Sequence, residues 1–206
     1  MKQKLFQLYE DLYSKLGPQG WWPLLETGYH PLDFSYPKNA LHAFEIALGA
    51  ILTQNTNWSN VEKALINLKD KNILNPEDIL KTDEAVLLTA IKPSGFFNQK
   101  LKKIKIFTDF FLKLKNKPLL RNDLLNLWGI GPETADSILL YAYKVPTFVV
   151  DTYTNRLLIT KGLITEALPY HELKSLFENN LDKDYQLFQE FHALIVISGK
   201  IKLFFS

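Results

Sequence analysis

Leu5, Leu8, Leu12 and Leu16 recur at a spacing that lays one apolar stripe along a helix over residues 2–16. Gly17-Pro18-Gln19-Gly20 then breaks the pattern, and a loop rich in proline and aromatic residues runs to about Pro37. Such a long structureless connection is uncommon in a compact domain and points to function. Residues 39–54 read as a buried helix through Ala40, Phe44, Leu48, Ile51 and Leu52, and residues 58–70 as an amphipathic one. Short helices follow at 76–81 and 83–91, and Ser94-Gly95 punctuates the chain. A helix over 98–115 turns Leu101, Ile104, Phe107, Phe111 and Leu114 inward. A short helix at 121–127, a Gly-rich turn at 128–132 and a helix at 133–143 come next. Residues 145–150 are extended, and helices at 152–160, 170–179 and 184–199 end the pattern. Only Phe148-Val149-Val150 has strand character, and no second segment offers it a sheet. There is no internal repeat and no low-complexity tract. The expected fold class is all-α.

The chain has 206 residues and no cysteine. That composition removes disulfides, thiolate nucleophiles, thiolate zinc sites and iron–sulfur clusters together. No run approaches the roughly 18 apolar residues of a membrane span. The basic start, Met1-Lys2-Gln3-Lys4-Leu5, leads into an amphipathic segment carrying Glu10 and Asp11 and not into the apolar core of a signal peptide. A cytoplasmic protein, nucleoid-associated if prokaryotic, is expected, with no membrane partner. The net charge of +2 says little, but residues 100–117 hold seven lysines and one acid, Asp109, a local charge of +6. A basic stripe of this kind gathers phosphates by releasing their counterions. A solvated helix face accounts for the same lysines equally well.

The most specific segment is Leu124-Leu125-Asn126-Leu127-Trp128-Gly129-Ile130-Gly131-Pro132-Glu133-Thr134-Ala135-Asp136-Ser137-Ile138. One helix ends, a Gly-x-Gly turn follows, and a second helix begins at once. Glycines at Gly129 and Gly131 are expected to supply positive φ and to leave no side chain between backbone and ligand. The turn amides and the unpaired amides of the new helix would then face one anion, with the helix dipole assisting. An ordinary helix–helix connection is the plain alternative. Ile130 as an anchor between the glycines, and Thr134-Ala135 after them, tilt the balance toward a helix–hairpin–helix unit.

Thirteen residues after Ile138 comes Asp151-Thr152-Tyr153-Thr154-Asn155-Arg156, preceded by Phe148-Val149-Val150. This order resembles the endonuclease III superfamily of DNA glycosylases, the HhH-GPD fold. Leu52-Thr53-Gln54-Asn55-Thr56 is similar to that family's Leu-Ser-x-Gln-x-Thr segment, and Gly95-Phe96-Phe97-Asn98-Gln99-Lys100 to its Gly-x-Tyr-x-x-Lys segment. The likeness covers about residues 40–200. Gln19-Gly20-Trp21-Trp22-Pro23, residues 49–58 and residues 129–136 further resemble the subgroup that includes 3-methyladenine DNA glycosylases. Between Leu24 and Asn39 the chain carries an insertion relative to that pattern, which would reshape a pocket mouth.

The resemblance implies two helical lobes with an active-site cleft between them: residues 1–38 plus 121–206 as one, and 39–143 as the other, ending in the hairpin at about 121–143. It implies Asp151 as the catalytic carboxylate, which as a helix N-cap also has a structural reading. It implies Trp21 and Trp58 on either side of a flipped base, with Trp22 and Glu133 as further pocket residues. Trp22 reads more readily as core, and Glu133 as an acid favoured in a helix's first turn. It implies Gln54, Asn55, Thr56, Gly129, Gly131, Thr134 and Lys100 against DNA, with Gln54 as the wedge that fills the emptied stack.

Two departures from the family bear on the reaction. The lysine that attacks the sugar in bifunctional members is here Glu133, which cannot form an imine; nothing places Lys144 or Lys161 at the sugar instead. The four-cysteine loop of many members has no counterpart after Ser198-Gly199-Lys200, so no cofactor and no iron–sulfur cluster are expected. No metal is expected either, although the family's hairpin can hold a monovalent cation on carbonyls that correspond to Leu125, Leu127 and Ile130. His30, His42, His171 and His192 show no ligand spacing. Lys200 and Arg156 are open between phosphate contact and internal pairing.

The reading that follows is a monofunctional base-excision enzyme for alkylated purines, 3-methyladenine first. It would act as a monomer on double-stranded DNA containing a damaged base. Uracil, oxidised or mismatched bases are the alternative substrates, and a non-catalytic helix–hairpin–helix DNA-binding protein is the alternative class.

Overall fold

The structure is a computed structural model that describes residues 1–115 and 117–203. Eleven α-helices are formed among the described residues: α1 (Lys2–Leu16), α2 (Ala40–Leu52), α3 (Trp58–Asp70), α4 (Pro76–Lys81), α5 (Glu84–Ile91), α6 (Phe97–Leu114), α7 (Arg121–Leu125), α8 (Pro132–Ser137), α9 (Thr152–Thr160), α10 (Tyr170–Glu178) and α11 (Tyr185–Lys200). A 3₁₀ turn, Lys92–Ser94, follows α5, and α8 continues into a wider π turn over Ile138–Ala142. No strand forms among these residues; one isolated bridge joins Leu24 to Gly28. The all-α expectation holds. Among the described residues no helix is long and apolar enough to cross a membrane.

Side chains in the sequence start most of the helices. Asn39, Asn57, Asn75, Asp83, Asp151 and Asp184 each cap a helix by accepting from an amide of its first turn. The chain divides into two compact units: Met1–Trp22, Tyr29–Tyr36 and Lys144–Ser206 make the first, and Pro23–Gly28 and Pro37–Tyr143 the second. All of α7, the hairpin turn and α8 therefore fall in the second unit.

In the first unit α1 packs on α11, and α11 on α9. Phe148 is its centre: it stacks on Phe177 at 4.0 Å and meets Phe188 and Phe191 edge-on at 5.2 and 5.8 Å. Phe148, Val149 and Val150 are extended and buried without a sheet. Their polar backbone is met by α10 instead. Phe148 N–H donates to Glu178 Oε1 (2.8 Å), and Lys174, paired with Glu178 at 2.8 Å, reaches Thr147 and the Phe148 carbonyl.

In the second unit α2 is buried nearly all round, from Ala43 to Leu52, and packs on α3, α6, α8 and the π turn. Ala40, expected inside, is exposed in the first turn. Arg121 on α7 grips the fully buried Asp136 on α8 with two hydrogen bonds of 2.8 and 3.0 Å. This bidentate pair closes the hairpin from behind.

Candidate active site

In the first unit Asp151 sits half-buried at the N-cap of α9. Its Oδ1 accepts from the Thr154 amide and the Thr154 hydroxyl, both at 2.9 Å, and the Asp151 amide donates back to that hydroxyl at 3.1 Å. This reciprocal box holds the carboxylate in one orientation. Among the described residues no hydrogen bond is made to Oδ2, which leaves one oxygen available for chemistry. Asp151 is thus a cap and an available carboxylate at once.

Two residues of α11 lie in the field of Asp151. His192 is buried; burial pulls its imidazole below the usual histidine range, the Asp151 charge works against that pull, and Lys200 adds to it. His192 also meets Trp21 edge-on at 5.9 Å, and Lys200 places Nζ over the Trp21 ring at 5.7 Å from its centre. The half-exposed Trp21, the neutral-favouring His192, the Lys200 ammonium and Asp151 therefore form one cluster. Trp22 packs against Trp21 at 6.1 Å but is itself buried at 8% exposure, so it belongs to the core and not to an open base pocket.

The loop that carries Trp21 is held from two sides. Glu190 on α11 accepts the Gln19 amide at 2.6 Å and is hydrogen-bonded to the Gly20 backbone; burial raises its carboxyl above the usual range against those bonds. Gly20 (φ +65°) lies so close to His30 and Pro31 that a Cβ there would stand 2.1–2.7 Å from their backbone. The His30 amide donates to the Gly20 carbonyl at 2.8 Å, and His30 stacks on Tyr36. Part of the inserted segment thus closes behind Trp21. Arg156 is exposed on α9, and Asn155 binds both backbone groups of Leu168.

In the second unit Gln54 and Asn55 lie in the loop just beyond α2. Asn55 is exposed with φ +54°, a conformation asparagine tolerates better than most residues. Thr56 is held by the Asn60 side chain at 3.1 Å, and Trp58 opens α3, half-exposed. Gln54 donates to the Gly129 carbonyl (3.2 Å) and the Thr134 hydroxyl (3.1 Å) and accepts from Lys103. The loop is thereby tied to the hairpin.

In the hairpin only Gly129 has positive φ (+83°); Gly131 is extended at φ −91°. The expectation that both glycines are needed for positive φ is corrected. Gly129 is needed for its conformation and because a Cβ would meet the Lys103 stem at 2.6–2.9 Å; Gly131 faces open space. We predict that Gly129→Ala lowers stability by about 1–2 kcal/mol, whereas Gly131→Ala stays within about 0.5 kcal/mol but weakens duplex binding. Thermal melts and a binding titration check both. Ala135 N–H makes the first bond of α8, to the Gly131 carbonyl (2.9 Å), so the amides of Glu133 and Thr134 precede the helix ladder. Glu133 is exposed. Of the candidate cation carbonyls, that of Leu127 already accepts the Ile130 amide at 3.1 Å.

Lys100 departs most from expectation. It is 1% exposed, and its Nζ donates to the carbonyls of Leu52 (2.8 Å) and Ser94 (2.6 Å). It cannot contact DNA from there; it ties the end of α2 to the 3₁₀ turn. The basic stripe thins further, because Lys105 pairs with Glu84 and Lys113 with Asp109, each at 2.6 Å. Lys102 instead covers the hairpin's Trp128, 4.2 Å from the ring centre, and that ring is 48% exposed. Lys102, Trp128 and the 65%-exposed Phe96 are surface features the sequence reading did not single out. The adjacency of Trp128 to Gly129 was the available signal for one of them.

The fold and these motifs define a base-excision repair protein: the chain belongs to the HhH-GPD superfamily of base excision DNA repair proteins, whose model matches residues 48–183. Within it the chain is a DNA glycosylase acting on DNA. It is 42% identical over 205 residues to a protein of Methanocaldococcus jannaschii provisionally named a DNA repair glycosylase, covering 94% of this chain and 86% of that one. It is 31% identical to the H. pylori 3-methyladenine DNA glycosylase MagIII, solved bound to 1,N6-ethenoadenine, with a TM-score of 0.73 over 96% of this chain and 98% of that one. A trapped endonuclease III–DNA covalent intermediate shares the fold at a TM-score of 0.76 and 18% identity, over 98% of this chain and 87% of that one.

Proposed function

We propose that the protein is a monofunctional glycosylase that flips alkylated purines out of duplex DNA, 3-methyladenine foremost, and hydrolyses the N-glycosidic bond to leave an abasic site. One observation carries the choice of base. The Lys200 ammonium, itself in the field of the Asp151 carboxylate, already stands over the face of the Trp21 ring. An aromatic face that takes a cation favours a purine made cationic by methylation over a normal, neutral one. Trp58 is the second aromatic residue assigned to the base. The H. pylori relative, named for 3-methyladenine, supports the same class, and its bound 1,N6-ethenoadenine extends the candidate ligands to cyclic adenine adducts.

In this reading the glycosidic bond breaks with its electron pair leaving on the base, which turns the methylated cation into neutral 3-methyladenine. The sugar is left oxocarbenium-like. The Asp151 carboxylate stabilises that charge, orients the attacking water and takes its proton. No acid need protonate so good a leaving group. Gln54 fills the emptied stack, the Gly129–Thr134 turn holds a phosphate, and Glu133, where a lyase would carry its lysine, provides no Schiff base.

The test is purified protein on DNA treated with a methylating agent, with released bases resolved chromatographically and strand breaks scored before and after alkali. A duplex carrying a single 1,N6-ethenoadenine is run alongside. Release of 3-methyladenine with breaks only after alkali is expected. No release of any methylated base would overturn the substrate; breaks without alkali would show that an amine such as Lys200 reaches the sugar.

A further inference from the structure

Gln54, the residue assigned to enter the duplex, is held elsewhere in the unbound protein. Its amide nitrogen is committed to the Gly129 carbonyl and the Thr134 hydroxyl, and its amide oxygen to Lys103 Nζ. Those partners come from the hairpin turn, from α8 and from α6, so Gln54 cannot move without leaving all three. The Lys103 bond is the strongest, since a hydrogen bond from a charged donor is about twice as strong as a neutral one.

Lys103 is also poorly compensated. It is half-buried, and burial lowers the proton affinity of its amine. Among the described residues it pairs with no carboxylate, and the neutral Gln54 amide is its acceptor. Its methylenes lie against Gly129, where a Cβ would come within 2.6 Å of them. The ammonium therefore stands at the hairpin turn that the proposed function assigns to phosphate. A phosphate oxygen is a stronger acceptor than an amide oxygen.

We propose that Lys103 is a phosphate-released latch on Gln54. A DNA phosphate arriving at the hairpin draws the Lys103 ammonium to itself, and Gln54, left with two neutral hydrogen bonds, becomes free to enter the stack. Gripping the backbone thereby precedes insertion, and Lys103 is a positioning residue for the wedge. This rests on the proposed roles of Gln54 and the hairpin.

The test uses the whole protein and a short duplex containing a tetrahydrofuran abasic-site analogue, which cannot be cleaved. A 2-aminopurine beside the site reports unstacking. Lys103→Met keeps the stem under Gly129 and removes the charge. Its slope of log K against log salt should be shallower than the natural protein's by about 1, and Lys103→Arg should restore it. Gln54→Ala should keep the natural slope, because the ammonium is then unlatched from the start. At saturating protein, the fluorescence rise should be several-fold faster in Lys103→Met. An unchanged slope in Lys103→Met would mean that the ammonium stays on Gln54, and an equal or slower rise that nothing was latched; either overturns the proposal. Failure of the natural protein to bind the duplex would instead remove the DNA-gripping roles on which the latch rests. Binding of this duplex by a protein that releases no base from methylated DNA would leave the latch standing and overturn only the proposed substrate.

Discussion

Asp151→Asn should lower the single-turnover rate of base release by roughly a hundred- to ten-thousand-fold, the range of a lost acid–base group, while the protein stays folded. The two effects separate because the residue has two duties. As a cap, Asp151 uses Oδ1 alone, accepting from the Thr154 amide and hydroxyl. Asparagine presents the same oxygen and is as good a cap, so stability should change by no more than about 0.5 kcal/mol. As a reacting group, Asp151 needs its charge, both against the developing cation on the sugar and as acceptor of the water's proton. Asparagine has neither property. The variant should still bind a duplex with an abasic-site analogue, since the hairpin is untouched. Single-turnover release from a methylated duplex, with a thermal melt alongside, is the measurement. Full activity in a well-folded Asp151→Asn protein would reduce Asp151 to a helix cap and move the catalytic role to another group.

The elements most legible in the sequence were those with a local cause. Helical periodicity marked α1, α2, α3, α6 and α11 to within a few residues, and Asn39, Asn57 and Asp184 just before α2, α3 and α11 are the caps seen in the structure. The Gly-x-Gly turn was readable because backbone conformation is written in the residue type at Gly129. What escaped depended on partners distant in sequence. The Arg121–Asp136 clamp joins residues whose pairing no spacing announces. The strand-like Phe148-Val149-Val150 found its hydrogen bonds on Glu178 and Lys174, side chains of a helix more than twenty residues later. Charge counting failed for the lysine-rich helix because it ignores direction. Lys100 precedes Ile104 by one turn and Phe107 by two, which puts it on the apolar face. That phase, available from the sequence, distinguishes it from Lys102 on the exposed side.

Burial of Lys100 gives the second large effect. Lys100→Met should cost about 2–4 kcal/mol at neutral pH, because the Leu52 and Ser94 carbonyls lose a charged donor and are left buried without a replacement. For a chain of this size that is a fall of roughly 4–16 °C in Tm. Methionine fills most of the stem's space, so the loss reports hydrogen bonds more than cavity. The pH dependence should identify the cause. Burial, aided by the nearby Lys103 charge, lowers the Lys100 amine from 10.5 to about 8. Between about pH 8 and 10 the unfolded chain therefore holds a proton that the folded chain has released, and stability rises with pH there by at most about 1.4 kcal/mol per unit. Tyr9 and Tyr143, both raised by burial to about 12, act in the opposite direction only above their unfolded value near 10. The gap in stability between the natural protein and Lys100→Met should consequently widen from pH 7.5 to 10. A gap that stayed constant across that range in denaturant titrations would mean that Lys100 keeps its charge in the folded core, with its two carbonyls compensating fully for the water it has lost.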